Sequence, residues 1–185
     1  MLAFMVGENA SGADNQQERP GFAQWVVGFV DGEGCFSVPI FRNRTCRIGW
    51  QVQPTFAVVQ GEKSVEVLYL LKQQFGCGSV VRNVRRDNHR EDVWRYSVRH
   101  FQGLSSRVIP FFEVNPLLTA KAVDFKKFCF VVEMMRAGAH LRNEGIAQIA
   151  TIVETMNQRK PSRFLESSEA IRQPSRFDIE TKIWS

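Results

Sequence analysis

Two acidic residues separated by a glycine close an apolar run, Val26-Val27-Gly28-Phe29-Val30-Asp31-Gly32-Glu33-Gly34. Carboxylates gathered at one point repel one another unless a divalent cation neutralises them. Mg²⁺ held by a few carboxylates and by substrate phosphates is the usual apparatus of phosphodiester cleavage, where it stabilises the attacking and leaving oxygens. The spacing suggests how such a cluster could form. Gly28 and Gly32 are four apart and so share one helix face, and each costs about 1 kcal/mol relative to alanine in a helix interior. Small residues at that spacing let a second backbone approach closely. The chain carries no second copy of this helix, so the partner is expected to be a second molecule, related by a two-fold axis. Trp25, Gly28, Phe29, Asp31 and Gly32 are the expected contact residues. The same Asp-Gly-Glu-Gly string would also serve as a plain helix stop with a polar turn.

The elements that position these acids follow from periodicity. Phe22, Trp25, Val26, Phe29 and Val30 recur at three and four, which predicts a helix of about three turns entered at Pro20. After Gly34 the period changes to two. Phe36 to Phe41 reads as a strand interrupted by Pro39, a basic turn follows, and Trp50, Val52, Pro54 and Phe56 alternate with polar neighbours. Val65 to Phe75 is helical and stops at Gly76-Cys77-Gly78. A second hairpin spans Ser79 to Val98 around a charged turn at 86–92. Helical segments are expected at about 101–112, 118–136 and 143–156. The order helix, hairpin, helix, hairpin, helices predicts an α+β fold with an antiparallel sheet of about four strands. Residues 1–18 read as a flexible arm, 19–160 as one domain and 161–185 as a polar tail.

Composition sets the wider bounds. With 185 residues and 44% hydrophobic content, one ordinary core is available and wholesale disorder is excluded. No apolar run nears the roughly 18 residues of a membrane span, so a soluble protein of a bacterial cytoplasm or an organelle (mitochondrion or chloroplast) is expected. The net charge of +5 permits a polyanionic partner without requiring one. Cys35, Cys46, Cys77 and Cys129 form no C-x-x-C pair and keep no ligand spacing with the three histidines, so buried free thiols are expected rather than a zinc site.

The segment 26–34 resembles the signature of the LAGLIDADG homing endonucleases. Gly28 takes the internal glycine, Asp31 the first acid, Gly32 the small position, Glu33 the second acid and Gly34 the closing glycine. Asn115-Pro116-Leu117-Leu118-Thr119-Ala120-Lys121 and Asp124-Phe125 are similar to a later segment of that family, and 143–157 is similar to the C-terminal helix of its single-motif members. The resemblance implies a fold with the motif helix at a two-fold interface and a four-stranded DNA-binding sheet backed by helices. It implies a homodimer that makes a Mg²⁺-dependent double-strand cut in a long pseudo-palindromic target, in intron homing. Ca²⁺ or Mn²⁺ would be the substitutes. Glu33, with Gly32 beside it, inherits the metal; Gln60 inherits the ordering of active-site water; Lys121 inherits the place near the scissile phosphate. The family name has Asp where this chain has Glu33, and either carboxylate binds Mg²⁺. The alternative is a non-cleaving member of the same fold, an intron RNA maturase or a transcription regulator, against which the intact second acid argues.

DNA contacts are expected from both hairpins. Arginine neutralises phosphate, while Arg reads guanine and Gln or Asn reads adenine. In the first hairpin Ser37, Arg42, Asn43, Arg44, Arg47, Gln51, Gln53 and Thr55 are the candidates. If Gln51, Gln53 and Thr55 face DNA, then Val52, Pro54 and Phe56 face the helices. In the second hairpin Asn83, Arg85, Arg86, Arg95 and Ser97 are the candidates, with Arg82 pointing away. A merely solvated sheet face would also carry Arg and Gln.

Overall fold

The computed structural model describes residues 14–83 and 92–157, with side chains from Gly21 onward. Helix α1 (Asp14–Glu33) leads directly into β1 (Gly34–Ser37). It begins six residues before the expected entry at Pro20, inside the stretch read as an arm. Further along come β2 (Ile40–Arg42), β3 (Trp50–Val52), β4 (Thr55–Gly61), α2 (Val65–Phe75), β5 (Ser79–Asn83) and β6 (Val93–Val98). The chain then runs through α3 (Phe101–Gly103), a π-helical turn at Leu104–Val108, α4 (Ile109–Val114), α5 (Lys121–Arg136) and α6 (Asn143–Glu154).

The four-stranded antiparallel sheet expected from the sequence is present, in the order β1-β4-β6-β5. The first hairpin, however, is broken in two. Neither Pro39 nor Pro54 can donate to a ladder, so β2 and β3 pair only with each other and form a separate two-stranded ribbon. At the crease the Gln53 amide donates to the Pro39 carbonyl at 3.0 Å. The ribbon closes through Asn43, whose side-chain oxygen accepts from the Thr45 amide (3.0 Å) and hydroxyl (2.8 Å), and through Gly49 at φ +71°.

Sheet pleating sorts the side chains. Phe36, Phe56, Val58, Tyr96 and Val98 point inward and are buried against Leu68, Leu71 and Phe75 of α2, Phe112 of α4 and Phe125 and Phe128 of α5. Phe36 is the hub, with ring centroids 5.0–5.6 Å from Phe56, Phe112, Phe125 and Phe128. The sheet's contribution to the core therefore begins two residues after Gly34. A Cβ at Gly34 would lie 2.5 Å from Val30 Cγ1 and 2.7 Å from the Val30 carbonyl, which explains why the closing position is glycine. Beyond α6, Asn157 donates its amide side chain to the Phe36 carbonyl at 3.1 Å, tying this end of the domain to β1. The cysteines are free, but Cys35 is exposed and the other three are half-buried, unlike the buried thiols expected. His140 is half-buried.

Candidate active site and nucleic-acid interface

The carboxyl-terminal end of α1 gathers the acids and the lysine singled out by the sequence, in unequal roles. Glu33 is exposed and makes no hydrogen bond or ion pair among the described residues. No basic residue occupies the last turn of the helix. Asp31, expected at the interface between copies, is instead turned into its own chain. Its carboxylate accepts from the Leu118 amide (2.7 Å), the Thr119 hydroxyl (2.7 Å) and the Thr119 amide (3.3 Å). Burial pushes this carboxyl up, but those donors and the Lys121 charge together bring it below its ordinary value of 3.8. The Thr119 hydroxyl also accepts from the Lys121 amide (3.2 Å) and so caps α5.

Lys121 answers in the opposite direction. Its ammonium donates to the carbonyls of Val30 (2.9 Å), Gly32 (3.4 Å) and Gly34, satisfying oxygens that the helix end leaves open. The lysine expected beside a phosphate is thus engaged with backbone carbonyls within its own chain. Gln60 lies at the same end of the sheet, two residues along β4 from Val58, the partner of Gly34. It is half-buried, and its side chain makes no hydrogen bond among the described residues.

The donor set suits a hard divalent cation only in part. Glu33 supplies one carboxylate and Gly32 one carbonyl, at the negative end of a helix. Among the described residues no group of three or more His, Cys, Asp or Glu side chains could hold a metal. Such an open pair matches Mg²⁺, which keeps several waters and takes its remaining oxygens from one or two carboxylates and from phosphate.

Across the outer face of the sheet the register aligns rows of side chains. One row is Cys35, Ala57, Ser97 and Ser79; the next is Val59, Arg95 and Val81. Arg95 and Asn83 lie on this face as expected. Arg82 lies on the other, paired with Asp92 at 2.7 Å and Glu62 at 3.6 Å, in agreement with the expected parity. Two expected contacts fail on exposure. Thr55 is 2% exposed, its hydroxyl donating to the Gln53 carbonyl at the crease, and Ser97 is 6% exposed on the floor between Ala57 and Ser79. Ser37 is half-buried, with its hydroxyl 3.5 Å from the Thr55 carbonyl. Arg85 and Arg86 lie outside the described residues. Arg99, which shares the parity of Arg95, joins Arg95, Asn83 and His100 around an open concavity of about 620 Å³. Burial and the nearby Arg99 charge lower the Arg95 guanidinium from its ordinary value.

The ribbon adds a second cationic surface. Arg44 and Arg47 are exposed, while Arg42 stacks over the Trp50 ring at 4.7 Å. Asn43 donates to Gln51 at 2.6 Å, so these two candidates satisfy one another; Gln53 is half-buried at the crease.

On α1 the face opposite the buried Val26, Val27 and Val30 is open. A Cβ at Gly21, Gly28 or Gly32 would meet nothing within 4 Å. Trp25 is 39% exposed there, stacked between Phe22 and Phe29 at 5.3 and 5.2 Å. Nothing described in the chain requires those glycines to be small. No described helix is long and apolar enough to cross a membrane.

This arrangement has counterparts among known proteins. A probable intron-encoded endonuclease 3 of Neurospora crassa is 37% identical over 135 residues, 72% of this chain and 24% of that protein. The chain thus spans about a quarter of the length of that curated relative. Among solved structures, the homing endonuclease I-TnaI is 44% identical, with a TM-score of 0.72 over 81% of this chain and 97% of that one. The LAGLIDADG homing endonuclease I-SmaMI bound to cleaved DNA is 28% identical, with a TM-score of 0.71 over 78% of this chain and 46% of that one. I-SmaMI has also been solved on uncleaved DNA in the presence of calcium ions. The LAGLIDADG endonuclease family model matches residues 26–132, more than half of the chain, and spans the motif helix, the sheet and the segment carrying Lys121. With its motif acids at the open end of α1 and its arginine-bearing sheet beside them, the chain belongs to the LAGLIDADG endonuclease family.

Proposed function

We propose that the protein is a site-specific, Mg²⁺-dependent endonuclease that acts as a homodimer and cuts both strands of a long pseudo-palindromic duplex, in the service of intron homing. The observation that carries the reading is Glu33: an unpartnered carboxylate at the carbonyl end of a helix whose glycine face is open. Packing two copies along Gly21, Gly28 and Gly32 brings the two Glu33 residues close to the axis. The protein's gene would lie within an intron, like those named for the fungal relative, and its target would lie in the bacterial or organellar genome bearing that intron.

In this reading the chain's residues divide the work. Arg44, Arg47, Arg95 and Arg99 take the phosphates and base edges of the duplex. Glu33 and the Gly32 carbonyl hold the cation, which when bound supplies charge stabilisation to the attacking and leaving oxygens. Gln60 orients water at the same end of the sheet. Lys121, seated on the carbonyls around Gly32, fixes the backbone that presents both metal ligands. Asp31 and Thr119 hold the segment that carries Lys121.

The test is cleavage of a randomised duplex library in Mg²⁺ by the wild-type chain and by Glu33→Gln. Site-specific cutting by wild type, with at least a hundredfold loss in the variant and retained binding, is the expected result. Equal cutting by both proteins would place the catalytic acid elsewhere. Binding without cutting by either would leave a non-cleaving member of the fold.

A further inference from the structure

The outer face of the sheet contains an apolar feature that phosphate binding does not explain. Val59 and Val81 are 44% and 57% exposed, and both stand directly opposite Arg95 across the ladder, one on each side. Arg95 does not project freely from between them. The residue is half-buried, and its Nε is buried without a hydrogen-bond partner. The concavity beside it is lined by Val81, Arg95, Arg99 and Asn83. A row of apolar, cationic and apolar groups offers two poorly hydrated contacts around one directional fork of donors.

Resting on the duplex-binding reading above, we infer that the row Val59–Arg95–Val81 reads a guanine flanked by thymines within each half-site. The chemistry of the base edges selects this triplet. Guanine presents two acceptors, N7 and O6, to the fork of an arginine, and thymine is the one base with a methyl group in the major groove. Adjacent strands lie about 4.8 Å apart, and successive bases along a strand about 3.4 Å apart. Where the ladder row runs along the groove, the two neighbours of Arg95 lie within side-chain reach of the bases that flank the guanine. Val59 and Val81 are thus specificity-determining residues, and their partner is a methyl group rather than a phosphate.

Deoxyuridine tests this directly, because it removes the thymine methyl and keeps every hydrogen-bonding group. Duplexes would be selected from a randomised library with the Glu33→Gln protein in Mg²⁺, and the bound consensus resynthesised with single thymine-to-deoxyuridine replacements. Beside the guanine that Arg95→Ala ceases to require, each replacement is expected to weaken binding about fourfold, the worth of one buried methyl. Val59→Ala should erase that penalty on one side and Val81→Ala on the other. A consensus with other bases around this guanine would overturn the inference, as would indifference to deoxyuridine in the otherwise wild-type sheet, a result that needs no valine variant to fold. Failure to select any duplex would overturn the duplex-binding reading itself, and this inference with it.

Discussion

Removing the Asp31 carboxylate should loosen the domain without touching its hydrophobic core. In Asp31→Ala, two short hydrogen bonds of 2.7 Å and one of 3.3 Å to Leu118 and Thr119 are lost. Hydrogen bonds to a charged group contribute about 1.5–3 kcal/mol each when shielded. Here the site is partly open to water, so about 1 kcal/mol for each short bond is the fitting scale. The total is about 2 kcal/mol, or roughly 4–8 °C in thermal midpoint for a chain of this size. The pH dependence gives the sharper test. Because folding lowers the Asp31 value, its stabilisation is complete above the ordinary 3.8 and is lost as pH falls through the depressed folded-state value. Urea unfolding of wild type and Asp31→Ala between pH 7 and pH 3 should show two curves that run parallel and then converge at the acid end. Asp31→Asn, which keeps one acceptor, should lie between them. A difference below 0.5 kcal/mol at pH 7, or one that widens on acidification, would refute the reasoning.

Three further outcomes follow from the same geometry. Gly34→Ala, whose Cβ would sit 2.7 Å from the Val30 carbonyl, should cost about 2 kcal/mol in chemical denaturation, because that backbone cannot yield; a neutral result would mean that α1 and β1 are less tightly joined. Gly28→Leu meets open space within its own chain, so circular dichroism should be unchanged while sedimentation shows loss of self-association; unaltered association would remove α1 from the interface between copies. At pH 8 iodoacetamide should modify exposed Cys35 first and Cys129 last, since burial and then the Glu113 charge push the Cys129 thiol up to about 12; equal labelling rates by mass spectrometry would count against that burial.

Much of this fold is legible in periodicity because burial and pleat obey simple spacings. The valines and phenylalanines of α1, the alternation through Phe56 and the glycine stop after Phe75 all mark elements that the structure contains. The split of the first hairpin is harder to see, because a proline in a strand signals an edge or a break without saying which partner is lost. Thr55 shows the limit of parity: it has the predicted face but is covered at the crease, and exposure depends on folding beyond the strand itself. Glu33 is marked by the likeness of 26–34 to the family signature, since charge and spacing alone fit a helix stop as well. The roles of Asp31 and Lys121 are not legible, because each acts on backbone groups some 90 residues away, and backbone groups leave no mark in residue types. Arg99 was readable as the next residue of like parity after Arg95 and Ser97.

The proline crease gives the ribbon a freedom that an unbroken hairpin would lack. In a continuous ladder, one residue added to the 43–49 turn could slip the register as far as Gly34 and carry Glu33 with it. Here the pairing of β1 with β4 is anchored by Phe36 and Phe56, and β2–β3 keeps its own three residue pairs beyond Pro39 and Pro54. Insertions, deletions and new side chains at the ribbon tip are therefore absorbed before they reach the acids. The ribbon behaves as an exchangeable module, whose sequence can change without displacing the acids at the end of α1.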